Sequence, residues 1–280
     1  MSVEHDADHW AREEERFLRA LQAAKRRRIL VQLALNALGI VLFLLAWEMS
    51  PRIIPWLNPI LFPPPTETLH ALQELIDSGE LVNGIAISLR RALIGFVIGS
   101  LLGILVGLLS GQIAAIQYLT DPLLHGFRAI PAIALVPLSL LWFGIGEASK
   151  VALIAWGAFY PVWLNTYTGV RNVPDALHRS AASLGALPHQ AMFLVVLPAS
   201  LPFILVGLRQ AVGIALIVLV AAELAGSSSG VGYLIATSHQ LFRVDIMFVG
   251  IATLGFLGFM VDRLFALAQT YFFPWYTGAK

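Results

Sequence analysis

The chain has 280 residues, of which 58% are hydrophobic and only 12% charged, with a mean hydropathy of +0.78 and a formal net charge of +1. That composition lies outside the range of soluble globular domains and identifies a polytopic membrane protein. It leaves no basic face for nucleic acid, and the lack of cysteine excludes disulfides, thiolate catalysis and Cys-ligated metals.

Residues 1–28 read as a cytoplasmic amphipathic tail in which Trp10, Phe17, Leu18 and Leu21 share one helical stripe among charged residues. The stripe suits the membrane interface, a cytoplasmic partner, or simply a solvated helix. Seven of the eighteen Lys and Arg precede Ile29 and end in Lys25-Arg-Arg-Arg28, which by the positive-inside rule holds the N-terminus in the cytoplasm. With no small-residue cleavage site, the apolar run that follows reads as a retained span rather than a signal peptide.

A crossing helix needs roughly 20 apolar residues with its backbone satisfied internally. Six runs meet this description: Ile29 to Trp47, Ala92 to Leu109, Leu123 to Phe143, Val151 to Val170, Leu201 to Leu224, and Ile246 to about Ala268. The expected fold is an all-α polytopic domain over 29–273, followed by a short tail at 274–280. In the third run Arg128 stands near the start, and Pro131 and Pro137 remove backbone donors, so a kinked or partly broken helix is expected. Six spans return both termini to the cytoplasm and put the loop Val173 to Ser200 there too. Arg90 and Arg91 fall on the outer side, against the simple charge rule, but the basic tail outnumbers them.

Between the first two spans, Pro51, Pro55, Pro59 and Pro63 to Pro65 hold the chain extended. Thr66 can cap a short helix from Glu67 to Ile76, ended by Ser78-Gly79, and the whole reads as an ordered spacer. In the second span Gly95, Gly99, Gly103, Gly107 and Gly111 recur every four residues. Residues at that spacing share a helix face, and glycine there lets another backbone approach closely, so tight helix packing is favoured over a glycine-lined pore.

Chemistry-bearing residues are sparse. No G-x-x-x-x-G-K-[ST] occurs, so the chain carries no ATPase motif of its own, and neither a G-x-S-x-G nor a histidine cluster with metal-ligand spacing is present within a span. The ionisable residues inside spans are Arg209, Glu223, Asp262 and Arg263. Each costs roughly 2.5 to 3.5 kcal/mol at the bilayer centre and normally faces a partner charge or water. Arg209 is a candidate for an anion pathway, with a structural ion pair or snorkelling as the rival reading. Glu223 is a candidate for an outer gate or simply an interfacial acid, and Asp262 with Arg263 reads as helix packing. Ser139 and Asn165, with Thr166 and Thr168, offer hydrogen bonds to a solute or between helices. Trp142 is a pathway candidate too, although for Trp142, Trp156, Trp163 and Trp275 the aromatic belt is the first explanation at span ends.

The most informative stretch is R-S-A-A-S-L-G-A-L-P-H-Q-A-M-F-L-V-V-L-P, beginning at Arg179. Pro174 and Asp175 suit a helix start, Ala176 to Leu184 its body, and Gly185 a turn that side chains would obstruct. Leu197-Pro198 and Pro202 then fix the re-entry into the fifth span. Gly185, Val195 and Leu197-Pro198 stand at the spacing of the cytoplasmic coupling loop of bacterial ABC importer permeases, which this stretch resembles. The resemblance extends to L-F-P-P-P-T-E-T-L, to S-L-R-R-A-L-I-G-F at Ser88 to Phe96, to I-P-A-I-A-L-V-P-L with W-F-G-I-G-E, and to G-V-G-Y-L at Gly230 to Leu234. These look like the nitrate, sulfonate, taurine and bicarbonate branch, and the match covers roughly residues 35 to 275.

What the resemblance implies is a six-helix permease of the type I importer kind that translocates a small organic anion, with aliphatic sulfonates including taurine favoured over nitrate, bicarbonate or thiamine precursors. It implies a homodimer, two separate ATP-binding subunits that hold the ATP and Mg, and an extracytoplasmic substrate-binding protein. The expected contact with the ATPase is carried by Arg179, Ser180, Ala181, Ser183, Leu184, Gly185, Ala186, Leu197 and Pro198. The sequence departs from the family at two positions: Arg179 stands where an acid is usual, and Ser180 where alanine is usual. A membrane-embedded lipid-modifying enzyme would need clustered carboxylates, histidines or arginines at one interfacial level. An ion-coupled transporter would need mid-membrane acids and inverted repeats. Neither pattern is visible.

Overall fold

In a computed structural model, the backbone is described for residues 2–54 and 57–273, and side chains from Lys25 onward with few exceptions. The Trp10, Phe17, Leu18 and Leu21 stripe, the Arg128 side chain, Trp275 and the tail 274–280 lie outside the described residues. Every regular element among those described is helical.

The chain divides into two compact units, residues 1–67 and 68–280. In the first, the expected tail and first span form one continuous helix, α1 (Ser2–Ile53), whose stretch Arg27–Ile53 is apolar enough to cross a membrane. The proline-rich segment after it is pinned locally. Trp47 Nε1 donates to the Pro63 carbonyl at 3.1 Å, and Glu48 accepts from both the Thr66 N–H and its hydroxyl at 3.2 and 3.1 Å. Thr66 therefore does not cap the next helix, α2 (Pro65–Asp77). The nearby Glu48 carboxylate is the stronger acceptor, and the helix begins on Pro65, where a missing N–H costs nothing.

The second unit is built around α3 (Glu80–Gln112), α6 (Glu147–Arg171) and α9 (Leu197–Gly226). The glycine stripe faces α6. A Cβ at Gly95 would meet Ile154, at Gly99 the Ala155 carbonyl, at Gly103 the Phe159 carbonyl, at Gly107 Thr166 and at Gly111 Val170. Rising numbers on α3 match rising numbers on α6, so these two helices run parallel. Gly157 meets Ile214 and Val218 while Gly169 meets Ser200 and Phe203, so α9 runs antiparallel to α6. The contact is closest at Gly99, where an added Cβ would sit 2.2 Å from the Ala155 oxygen. Gly99→Val should therefore force the two helices apart and cost about 1–3 kcal/mol or more. Gly213→Ala, whose Cβ meets nothing within 4 Å, should leave the melting temperature in detergent within the scatter of the wild type. Equal melting of the two variants would refute the close-packing account.

Between α3 and α6 the chain does not form one third span. It makes α4 (Ala114–Arg128), a break, a 3₁₀ turn at Ala132–Leu135 and the short α5 (Val136–Phe143). Pro131 lies extended at the break, and Pro137 sits in the first turn of α5, where no donor is missed. After α6 comes α7 (Asp175–Ser183). The four-residue α8 (Pro188–Ala191) then leads through a π turn, Met192–Val196, directly into α9. The helix re-enters at Pro188 rather than after Ser200. The π turn lies where Pro198 leaves the Leu194 carbonyl without its helical donor, and the column runs on through Pro202. A further helix, α10 (Val231–Gln240), lies in what reads from sequence as a plain loop, and α11 (Val244–Phe272) closes the unit.

Four of these columns are both long and apolar enough to cross a membrane: Arg27–Ile53, Glu80–Gln112, Pro188–Gly226 and Val244–Tyr271. With 25 residues α6 is also long enough, at roughly 1.5 Å per residue, but it is more polar. It occupies the centre, where Ile154, Ala158, Val162 and Thr166 are fully buried and protein rather than lipid surrounds them.

Candidate functional site

The two ends of the second unit carry different chemistry. At one end stands α7. Pro174 precedes it in extended conformation and Asp175 lies in its first turn, as the helix dipole favours. Its C-terminus is closed by a Schellman turn. Gly185 takes φ +75°, its N–H donates to the Ala182 carbonyl, and the Ala186 N–H donates to the Ala181 carbonyl, both at 3.0 Å. The Ser180 and Ser183 hydroxyls are spent on the Ala176 and Arg179 carbonyls of the same helix. The chain then turns into α8, where Gln190 Oε1 accepts from the Leu187 N–H at 2.9 Å.

The arm is anchored at both roots by one apolar cluster, in which Val170 of α6, Val173 and Val196 are buried with Leu108 of α3 and Ala199 of α9 beside them. Ala181 is the buried face of α7, while Arg179, Ser180, Ser183 and Gly185 are exposed and Ala186 is half-buried. Leu184 at the tip is 87% exposed and Leu187 is exposed next to it. Leu197 and Pro198 lie at the start of α9, not at a loop end. The result is a short, capped helix with an apolar tip, rooted through one cluster in α3, α6 and α9.

The opposite end holds a buried ion network that sequence reasoning missed. Arg91 of α3 is only 1% exposed, and its guanidinium donates to Glu223 Oε1 at 2.7 Å, to Glu147 through both Nε and NH2, to the Ser227 and Ser229 hydroxyls, and to the Ser229 carbonyl. Glu223 is equally buried. It also accepts from Ser88 and from the Gly232 N–H at 2.9 Å, while Ser88 Oγ accepts from the Val231 N–H at 3.0 Å. Gly230 and Gly232 lie so close to Glu223 that any Cβ there would collide with it. The network thus joins α3, the start of α6, the end of α9, the loop 227–230 and the start of α10. Hydrogen bonding to Arg91 holds the Glu147 carboxyl below the ordinary glutamate range, although that side chain is half exposed. Glu223 is therefore an inward-facing partner of an arginine rather than an acid at the interface. The sequence signal for it was the placement of Arg91 against the positive-inside rule: a basic residue on the unexpected side is unremarkable once it is neutralised inside the protein.

The remaining sequence candidates are mostly engaged. Arg209 forms a two-pronged pair with Asp262 at 3.0 and 3.1 Å, tying α9 to α11, and Arg263 lies over the Phe259 ring at 5.1 Å. Asn165 bonds the Pro161 carbonyl and Gln210, and Thr168 the Leu164 carbonyl. Trp163 is buried between α3 and α6 with its indole N–H on Ser110, so it is no belt residue. Ser139 donates to the Val136 carbonyl but lines a cavity with Trp142 and Trp156. Among the described residues no group of three or more metal-ligating side chains is assembled.

A central apolar helical bundle with a rigid projecting arm at one end is the architecture of a transport permease. The fold matches that of a solved amino acid ABC transporter with a TM-score of 0.57 at 19% identity, covering 72% of this chain and 96% of that one. Residues 99–270 match the family described as binding-protein-dependent transport system inner membrane component, and the chain belongs to that family. It is 36% identical over 256 residues to an ABC transporter permease protein of Methanocaldococcus jannaschii, covering 89% of this chain and 93% of that protein. It is 41% identical over 213 residues to an aliphatic sulfonates transport permease of Bacillus subtilis, covering 76% and 77% of the two chains. A taurine transport system permease of Escherichia coli is 32% identical over 246 residues, covering 86% and 89%. The chain is a transport subunit, not an enzyme.

Proposed function

We propose that this permease translocates aliphatic sulfonates, taurine among them, across the bacterial inner membrane by alternating access, as a homodimer served by two ATP-binding subunits and an extracytoplasmic binding protein. ATP and Mg are held by the partner subunits. The α7 end faces the cytoplasm with both termini, and α7 is the coupling helix. The observation that carries this reading is the arm itself: an exposed apolar tip at Leu184, a fixed turn at Gly185, and two roots in the Val170, Val173 and Val196 cluster. A motor that closes on the tip moves three helices together, which is what ATP-driven rocking requires. The exposed Arg179 sits beside the tip, so the socket on this permease's ATPase should offer an acid or a neutral group there. The sulfonate assignment is supported by the names of the Bacillus subtilis and Escherichia coli relatives.

The test is reconstitution of the permease with its ATPase and binding protein in proteoliposomes. ATP-dependent uptake of labelled ethanesulfonate or taurine is expected, with loss of uptake when the binding protein is omitted. A complex that hydrolyses ATP in response to the binding protein yet moves only nitrate or bicarbonate would overturn the substrate assignment and leave the coupling assignment standing.

A further inference from the structure

We propose that a second copy of the chain packs on the broken α4–α5 face, with Leu141 and Ile145 of each copy entering the hollow between α5 and α6 of the other. The proposal rests on the homodimer reading above and adds the face that makes the dimer. Because α3 and α6 run parallel, the chain has to return across the membrane between them. Neither α4 nor the apolar stretch Ala132–Phe143 is long enough to cross roughly 30 Å of hydrocarbon alone, so the two cross in series. The break between them falls at mid-membrane, since Ile130 and Ala132 border a cavity with Trp156, Gly157 and Pro161, the middle of α6. Pro131 is extended there, which leaves main-chain groups at the end of α4 and the start of the 3₁₀ turn without helical partners. Ala129, Ile130, Pro131, Ile133 and Ala134 are all exposed. Lipid cannot hydrogen-bond such backbone, and irregular main chain persists at this depth only where protein or enclosed water covers it. The exposed Leu101 on α3 and Ile251 on α11 differ, because they stand on unbroken helices that lipid can cover.

Area and shape point to a second copy as the cover. Ile130, Ile133, Leu141, Trp142, Phe143 and Ile145 are 44–82% exposed. At roughly 200 Å² for each large apolar side chain they present on the order of 750 Å², close to the ~800 Å² that each partner of a stable dimer buries. A two-fold interface also needs a patch that is complementary to itself. This one has both halves. Leu141 and Ile145 are its most exposed side chains, and beside them lies an almost wholly apolar hollow of about 430 Å³ lined by Leu138, Trp142 and Trp156. A two-fold axis near Trp142 lets the tip of each copy fill the hollow of the other, and the two backbone breaks are then enclosed between the copies instead of facing lipid.

The chain contains no cysteine, so single-cysteine variants report without background. In the complex reconstituted with its ATPase, Leu141→Cys and Ile145→Cys treated with a short bis-maleimide are expected to run mainly as a crosslinked dimer of the permease. Leu101→Cys and Ile251→Cys, equally accessible but on unbroken helices, should give about tenfold less of it. All four substitutions are at exposed positions and leave the packed interior untouched. The copy number of the permease in the wild-type complex is read separately by native mass spectrometry. Two copies per complex with crosslinking at Leu101 or Ile251 in place of α5 would overturn the proposal and leave the homodimer standing on another face. Two copies with no crosslink at either α5 position would overturn it as well, since another part of the chain or a different subunit then covers the break. Equal yields at all four positions, the pattern of random collision, would do the same. One permease copy per complex would overturn the homodimer reading itself and this proposal with it.

Discussion

Replacing Arg91 with methionine is expected to destabilise the detergent-solubilised protein by about 3–5 kcal/mol. The reason is asymmetric. Glu223 is buried, so removing its guanidinium partner leaves a carboxylate hydrogen-bonded only by neutral groups, Ser88 and the Gly232 N–H, with Lys150 as a nearby cation that does not hydrogen-bond it. The Ser227 hydroxyl and both the hydroxyl and carbonyl of Ser229 lose a donor at the same time. Glu147→Gln should cost far less, because that side chain is half exposed, its carboxamide oxygen can still accept from Arg91, and Arg91 keeps the charge of Glu223. The decisive comparison is the double variant Arg91→Met with Glu223→Gln. Taking the stranded charge away should recover part of the stability lost in Arg91→Met, which independent sites would not show. Melting temperatures of the four proteins check this, and a double variant less stable than Arg91→Met would sink the account.

How much of this end was legible in the sequence follows from its physics. Glu223 was visible as a costly ionisable residue near a span end, and Arg91 as a basic residue on the unexpected side, but their pairing joins residues 132 positions apart. Periodicity carries no information about such long-range partners. The same holds for Arg209 and Asp262, where each charge was conspicuous and the pair was not. By contrast the glycine stripe and the α7 arm were readable in detail, because a four-residue spacing and a Pro-Asp start with a Gly stop encode local geometry directly. The sequence pattern failed locally where proline rules were applied too simply. Pro198 and Pro202 suggested a loop re-entry at the fifth span, yet a π turn lets the helix run on from Pro188. The helix α10 went unrecognised since its N-terminal turn depends on Glu223 and Ser88 from elsewhere in the chain.

That continuity of the column bears on how force would travel, and so on the second large effect. From Leu197 to Glu223 the α9 helix is uninterrupted and spans about 39 Å at roughly 1.5 Å per residue. A displacement entering at α7 therefore reaches the Arg91 network along one rigid element, provided that the turn at Gly185 fixes the tip. Gly185→Val should remove that condition. The residue sits at φ +75° with open space around its Cα, so the penalty is backbone strain alone, about 1–2 kcal/mol and more for a β-branched side chain. The Schellman bonds to Ala181 and Ala182 would be given up, and Leu184 would no longer point where a socket expects it. Binding-protein-stimulated ATP hydrolysis and uptake should both fall by about tenfold or more, while the melting temperature falls by only a few degrees, since the strain is confined to an exposed turn and no buried contact is lost. Gly185→Asn, which tolerates the left-handed region, should retain most of the coupling, and Gly185→Ala should lie between. Leu184→Asp provides the complementary case: it leaves the turn intact and places a charge on the apolar tip, so it should weaken co-purification with the ATPase subunit without altering the helix. If Gly185→Val couples normally, or if the asparagine variant is no better than valine, the fixed turn is not what transmits the motion, and α7 would act through its exposed side chains alone.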